Sequence, residues 1–238
     1  MPLEISSKDS PFYFRALTTV LKVFFQLLYH QFAWTYDLVA AVVSLGRWGS
    51  WVRATLPYLN GPKVLELGHG PGHLQAELLE SGVKAYGMDA SPQMGRLALA
   101  IVWRRIRKCP FLVNGYAQFI PFPDASFDQA VATFPTEYIY EPATIREIYR
   151  VLAPGGRLVI LLVAWITGQG LVERGAAWLF RVTKQAPPDL PQANARSDLR
   201  KSFGAQLVDR LEKAGFRVQI EFSELRSSVL MIVLADKV

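Results

Sequence analysis

Three glycines at alternate positions, Gly68, Gly70 and Gly72, follow the apolar run Val64-Leu65-Glu66-Leu67 and lead into the helix-forming segment that begins His73-Leu74. Residues without a β-carbon let a backbone turn tightly and approach a ligand closely, and the helix behind them offers unpaired N–H groups to a carboxylate or phosphate. The pattern points to a nucleotide-like ligand. Its spacing is G-x-G-x-G, and the position where a dinucleotide-binding turn carries its last glycine is His73, which weakens a nicotinamide reading. Twenty-one residues past Gly68, Asp89 closes Tyr86-Gly87-Met88-Asp89, where a carboxylate can accept both hydroxyls of a ribose. A helix-cap role is the competing account of Asp89, but Ser91 before Pro92 already supplies that cap. His69 and His73 flank the turn as potential proton carriers; in the plainer account their rings pack or meet solvent.

Strands and helices have to hold these groups in place. Residues 63–67, 85–89, 111–114, 127–133 and 157–163 read as strands, with helices over 73–81, 92–108 and 142–152, the last stopped by Pro154-Gly155-Gly156. Such a βαβ succession specifies an open parallel sheet with helices on both faces. A helix over 203–214 and strands over 216–222 and 228–235 follow, the two strands close enough in sequence to pair antiparallel. Ahead of the sheet, helices are expected over 12–30, 33–45 and 48–58, closed by Asn60-Gly61-Pro62. The stretch 165–202, with Gly168, Gly170, Pro187, Pro188 and Pro191 around an apolar piece, suits an inserted cap. The division is therefore 1–58 as an N-terminal helical cap, 59–164 as the ligand-binding core, 165–202 as the inserted cap and 203–238 as the rest of the core.

Composition narrows the class. With 238 residues, 51% hydrophobic and 19% charged, and a mean hydropathy of +0.17, the chain has the material for a sizeable core and is not a disordered one. The lone Cys109 makes neither an internal disulfide nor a cysteine-based zinc site, and with three histidines no metal is expected. A net charge of +6 favours anionic surfaces, acidic lipid or nucleic acid. Nucleic acid is disfavoured because the basic residues sit among apolar helices without a stacking stripe. The cluster Trp103-Arg104-Arg105-Ile106-Arg107-Lys108 either complements a helix dipole or docks on anionic headgroups. Arg15, Lys22 and Gln26 interrupt the apolar stretch 12–29 short of a membrane span, and the Met1-Pro2-Leu3-Glu4 start lacks a secretory signal. The expected location is cytoplasmic, with peripheral attachment at the inner face of the membrane as a further expectation.

Three longer motifs carry a family resemblance. Beside the glycine turn, residues 115–128 read GYAQFIPFPDASFD and residues 147–156 read EIYRVLAPGG. Together they resemble the class I S-adenosylmethionine-dependent methyltransferases of the type 11 group, whose segments run Gly-Asp-Ala to Leu-Pro-Phe and Ser-Phe-Asp, and Glu-x-x-Arg-Val-Leu-x-Pro-Gly-Gly. Tyr36-Asp37, Ser44 and Trp51 stand at the spacing of the N-terminal signature of the ubiquinone/menaquinone-biosynthesis C-methyltransferases. Val39, Ala40 and Trp48 replace the Met, Asn and His of that signature, and Phe134-Pro135-Thr136-Glu137 stands where those enzymes carry Gly-Leu-Arg-Asn.

The resemblance implies an α/β, Rossmann-like, doubly wound, mostly parallel seven-stranded sheet with an antiparallel hairpin edge, and S-adenosyl-L-methionine as cofactor. It implies cofactor contacts from Glu66, reaching the ammonium, from Gly68, His69, Gly70 and Gly72 around the methionine and ribose, and from Asp89, Ala90 and Met94. Tyr116 occupies the position of the family's adenine-binding Asp, leaving adenine to the ring of Tyr116, the backbone of Ala117 and the side chain of Gln118. Phe134 would neighbour the methyl group. Glu137 is a candidate base if burial raises its pKa, with exposed helix capping as the alternative. Tyr36 is a candidate for closing over the site, or a packed aromatic. The aromatic and aliphatic content of 12–58 and 165–202 points to a small hydrophobic acceptor, quinone-like or lipid. The alternative is a catalytically idle domain serving as a membrane or protein adaptor, for which Tyr116 is the main support.

Overall fold

The computed structural model describes Ser44, residues 46–167 and residues 204–238. The expected helix over 12–30, nearly all of the one over 33–45, Tyr36 and most of the 165–202 cap lie outside the described residues. In chain order the elements are α1 (Trp48–Arg53), β1 (Lys63–Leu67), α2 (His73–Glu80), β2 (Lys84–Asp89), α3 (Pro92–Ile106), β3 (Phe111–Asn114), β4 (Phe127–Thr133), α4 (Pro142–Val151), β5 (Leu152–Ile166), α5 (Ala205–Lys213), β6 (Phe216–Leu225) and β7 (Ser228–Lys237), with short 3-10 turns at Leu56–Tyr58 and Glu137–Tyr140. The expected third helix is thus split into α1 and the first of these turns, because Pro57 interrupts it.

One seven-stranded sheet runs in the order β3-β2-β1-β4-β5-β7-β6. Strands β1 to β5 are mutually parallel, and β7 is antiparallel to both β5 and β6. The hairpin thus inserts its second strand, not its first, against the parallel sheet. Burial explains the choice. Strand β7 is buried at Ser228 and at the seven residues after it, whereas β6 alternates buried Phe216 and Val218 with exposed Arg217 and Gln219, as an edge strand does.

Both sheet faces are covered. Leu65, Leu67, Leu158, Ile160, Met231 and Val233 face one way and meet Ile145 and Ile148 of α4 and Leu207 and Leu211 of α5. Their neighbours Val64, Val159, Leu161, Leu230 and Ile232 face the other way and meet Trp51, Val52, Leu74 and Leu78. This period-two division along continuous apolar runs is the signature of strands buried on both faces. α3 packs beside α2, burying Ala98 and Val102.

β5 begins earlier than its apolar run suggests. Ala153 precedes Pro154, which disfavours helical geometry and ends α4 at Val151. The chain then pairs Leu152 with Phe127 before an irregular step brings Arg157 opposite Gln129. Gly156 has no room for a side chain there: a β-carbon would stand 2.8 Å from the Ala153 carbonyl oxygen and 2.9 Å from that of Asp128.

Candidate active site

The carboxyl ends of β1 to β4 surround a cleft of ≈ 410 Å³. It lies where the strand order reverses direction, with β2 on one side of β1 and β4 on the other, which is where open α/β sheets bind ligands. Leu67, Gly68 and Gly70 line it after β1; Met88, Asp89, Ala90, Ser91 and Met94 after β2; residues 115–118 after β3; and residues 133–136 with Tyr138 after β4. Of the expected cofactor residues the cleft therefore gathers Gly68, Gly70, Asp89, Ala90, Met94, Tyr116, Ala117, Gln118 and Phe134. Glu66, His69 and Gly72 stand behind that lining.

The turn after β1 has a left-handed backbone at all three glycines, with φ of 71° at Gly68, 51° at Gly70 and 85° at Gly72. Each has a different neighbour. A β-carbon on Gly72 would lie 2.6 Å from Ala98 Cβ, so this glycine lets α3 close against the turn. On Gly68 it would lie 3.0 Å from the Tyr138 hydroxyl, and on Gly70 it would meet nothing within 4 Å. Since Gly70 lines the cleft, a side chain there would occupy ligand space.

Asp89 is tied at both oxygens. Its Oδ2 accepts the Gly70 N–H at 2.9 Å and its Oδ1 accepts the Ser91 N–H at 2.8 Å. Each carboxylate oxygen keeps a further lone pair. The carboxylate thus locks the glycine turn to the start of α3 and still presents acceptors to the cleft. Ser91 caps α3 as expected, its hydroxyl accepting from Met94 N.

Beneath the turn lies a buried polar group. Glu66 is 2% exposed and receives a hydrogen bond from Gln75 Nε2 at 2.7 Å. Burial pushes its carboxyl up to about 8, with Asp89 adding in the same direction and Gln75 opposing. His69 is also buried, and burial holds its imidazole below the usual histidine range. Its Nδ1 lies 2.7 Å from the Gly70 carbonyl oxygen, which can only accept, so the neutral ring carries its proton there. His69 therefore fastens the turn through its Nδ1 and stands outside the cleft lining.

The wall after β3 is held by a clamp. Arg150 donates to Glu147, to Asp124 and to the carbonyls of Ile120 and Phe122, each at 2.8 Å. Glu147 in turn accepts the Ile120 N–H at 2.8 Å. The Glu-x-x-Arg motif thus pins the loop that carries Tyr116, Ala117 and Gln118. Tyr116 is 67% exposed and borders the cleft instead of entering the core. Gln118 donates its amide to Glu141 at 2.7 Å.

Opposite stands Phe134, whose φ of 49° is unusual for a residue with a side chain. Its N–H bonds Leu161 O at 2.8 Å, and its ring packs on Trp48 and Trp51 with centroids 4.6 Å and 5.9 Å away. The fold holds this strained residue between β5 and α1. Glu137 begins the second 3-10 turn, exposed and outside the cleft lining. Sequence reasoning missed Tyr138 and Gln75. The Tyr138 hydroxyl donates to Leu67 O at 3.1 Å, and burial with the Asp89 and Glu66 carboxylates nearby pushes it well above the usual phenol range. The available signal was a tyrosine soon after β4, and a glutamine set between Leu74 and Ala76 of α2.

Residues 65–160 match the family described as Methyltransferase domain. A demethylmenaquinone methyltransferase of Symbiobacterium thermophilum is 33% identical over 238 residues, spanning 88% of this chain and 91% of that protein. The uncharacterized methyltransferase YdaC of Bacillus subtilis is 28% identical over 193 residues, 79% of this chain and 90% of its own length. Geranyl diphosphate C-methyltransferase from Streptomyces coelicolor, solved with Mg2+, geranyl diphosphate and S-adenosyl-L-homocysteine, superposes with a TM-score of 0.54 at 14% identity over 79% of each chain, a likeness of fold.

Proposed function

The chain belongs to the class I S-adenosylmethionine-dependent methyltransferases, and from that premise we propose that it transfers a methyl group to a small hydrophobic acceptor, quinone-like or lipid, by in-line displacement. One observation carries the reading: an open cleft at the β1/β4 switch point with the Asp89 carboxylate on one wall and the aromatic Phe134 on the other. The name of the Symbiobacterium thermophilum relative makes demethylmenaquinone the first acceptor to test. The adaptor alternative is disfavoured by the same open cleft, which the side chains of the described residues leave unfilled.

The residues present suit the cofactor. The cleft volume falls in the range of small-ligand sites, and Gly70 lines it with open space where a β-carbon would stand. Asp89 would hold the ribose hydroxyls, the glycine turn the amino-acid end, and Met88, Met94 and the Tyr116 ring the base. When bound, S-adenosyl-L-methionine supplies an electrophilic methyl group on a sulfonium. Phe134, Pro135 and Thr136 would orient the acceptor and exclude water, the main task in a displacement of this kind. Glu66 and His69, both buried and outside the cleft lining, set the shape of the turn and do not touch the acceptor.

We place the protein on the cytoplasmic side of the membrane, where a lipid-soluble acceptor is reached from the aqueous phase. Among the described residues no helix is long and apolar enough to cross a membrane. The decisive assay incubates the protein with methyl-labelled cofactor and either demethylmenaquinone in its reduced form or a tail-less naphthoquinol, followed by mass spectrometry. Methylation of the prenylated acceptor is expected. Transfer to neither acceptor nor to a total lipid extract, by protein that binds the cofactor, would overturn the hydrophobic-acceptor reading.

A further inference from the structure

Between Asp89 and Asp124 the chain carries no acidic residue, while Arg96, Arg104, Arg105, Arg107 and Lys108 all fall within that interval. Arg105 is spent on α2, pairing with Glu77 at 3.0 Å and Glu80 at 2.6 Å. The other four cations are exposed and form no ion pair with a described residue. The same interval holds the exposed apolar side chains. Apart from Val238 at the chain end, every large hydrophobic residue exposed among the described ones is here: Leu99, Trp103, Phe111, Tyr116 and Phe119, from 45% to 81% exposed.

Geometry brings these residues to one side of the molecule. At about 100° per residue, Arg96, Leu99, Ala100, Trp103 and Arg104 share the face of α3 opposite its buried Met94, Ala98 and Val102. Phe111 opens β3, the edge strand next to α3, and Tyr116 and Phe119 follow on the loop beyond it. We propose that the outer face of α3 and the adjoining β3 edge form a docking surface for an anionic lipid bilayer, with the cations at headgroup level and Trp103 and Leu99 reaching the acyl boundary.

The chemistry selects this occupant. Cations interleaved with an exposed Trp and Leu match an interface in which one layer is anionic and the next apolar. A second copy docking through the same face would bring four unpaired cations against four. Beyond β3 the docking stretch includes Tyr116, which lines the cleft beside Ala117, so the bilayer would lie beside the cleft wall. The inference stands on the surface alone and does not depend on the identity of the acceptor.

Cys109, the only cysteine of the chain and exposed at the end of the cation run, provides the probe site. The full-length protein, labelled there with an environment-sensitive fluorophore, is titrated with phosphatidylcholine vesicles with and without phosphatidylglycerol. Expected are a blue shift with the anionic vesicles alone and weaker binding as salt rises from ~0.1 M to ~0.5 M. At roughly fivefold per cation, the triple variant R104Q/R107Q/K108Q should bind roughly 100-fold more weakly. Trp103→Ala should weaken binding at high salt as well. Both variants should keep the thermal shift given by S-adenosyl-L-homocysteine, which separates lost docking from lost folding. Equal binding to both vesicle types, a triple variant that binds like the parent, or absence of any spectral change would overturn the proposal. So would duplex or single-stranded oligonucleotide displacing the vesicles at equal phosphate, or a dimer that the triple variant abolishes.

Discussion

The glycine turn makes two different demands, and substitution by alanine separates them. In Gly72→Ala the new methyl carries two penalties. The left-handed backbone, with φ 85° and ψ 21°, costs an alanine about 1–2 kcal/mol. Contact at 2.6 Å with Ala98 Cβ and 2.9 Å with its backbone Cα forces overpacking worth about 1–3 kcal/mol. Alanine's smaller unfolded-state entropy returns about 0.4–1 kcal/mol. The net loss is about 2–4 kcal/mol, a fall in Tm of about 5–15 °C for a chain of this size. Gly70→Ala carries only the backbone penalty, because no atom lies within 4 Å. It should cost about 1 kcal/mol, or about 2–4 °C. Its methyl stands in the cleft, however, and should weaken S-adenosyl-L-homocysteine binding by about tenfold or more, a loss of ~1.4 kcal/mol. Thermal melts by circular dichroism and titration calorimetry measure the two effects. Adding Ala98→Gly to Gly72→Ala should recover about 1 kcal/mol beyond additivity, although glycine within α3 costs about as much by itself. Equal melting losses for the two glycine variants, or strict additivity with Ala98→Gly, would refute the close approach of α3 as the reason for Gly72.

Three further outcomes follow from the polar groups around the cleft. Between the ordinary value of 4.5 and about 8 the folded protein keeps a proton on Glu66 that the unfolded chain has shed; this contribution is fully present below 4.5, falls by up to about 5 kcal/mol as pH rises through that window, and is flat above it. Glu66→Gln, which keeps an oxygen for Gln75, should therefore melt higher than the parent at about pH 8 and lose part of the decline between about pH 5 and 8, and parallel Tm profiles would contradict this. Arg150→Ala removes five hydrogen bonds, three to the loop after β3 at Ile120, Phe122 and Asp124 and two to Glu147 within α4, and should cost about 2–4 kcal/mol, with faster hydrogen exchange at residues 115–122; unchanged protection would count against the clamp. Tyr138→Phe loses one bond to Leu67 O and about 1 kcal/mol. Because the phenol is held protonated, the alkaline limb of the pH–rate profile should be the same in both proteins, and its disappearance in the variant would give Tyr138 a proton-transfer role.

Much of the core was legible because its strands are continuous apolar runs between turn residues: β1, β3 and β4 run over the residues expected. Strand order was harder to read, since adjacency of β6 and β7 in sequence says nothing about which joins β5. The burial contrast between the alternating β6 and the solid β7 contained that answer. The start of β5 was hidden by Pro154-Gly155-Gly156, which reads as a stop but folds as an irregular strand entry around Gly156. In the site, Gly68, Gly70 and Asp89 were visible because a tight left-handed turn and a carboxylate closing the next strand restrict residue type at fixed spacing. Tyr138 and Gln75 were not, since their roles depend on contacts with Leu67, Glu66 and Tyr86, far along the chain or set by packing. Glu66 was read by its strand-end position, which does not reveal that the turn folds over it.

The central claim is that Asp89 and the glycine turn hold an adenosyl cofactor, and calorimetric titration with S-adenosyl-L-homocysteine tests it most directly. The parent should bind one equivalent. Asp89→Ala should bind at least about 100-fold more weakly, the value of two hydrogen bonds to a charged acceptor. Asp89→Asn, which keeps one oxygen for the Gly70 or Ser91 N–H, should lie between them while retaining its fold by circular dichroism. A folded parent that binds no S-adenosyl-L-homocysteine, or an Asp89→Ala variant that binds it as tightly as the parent, would contradict the account.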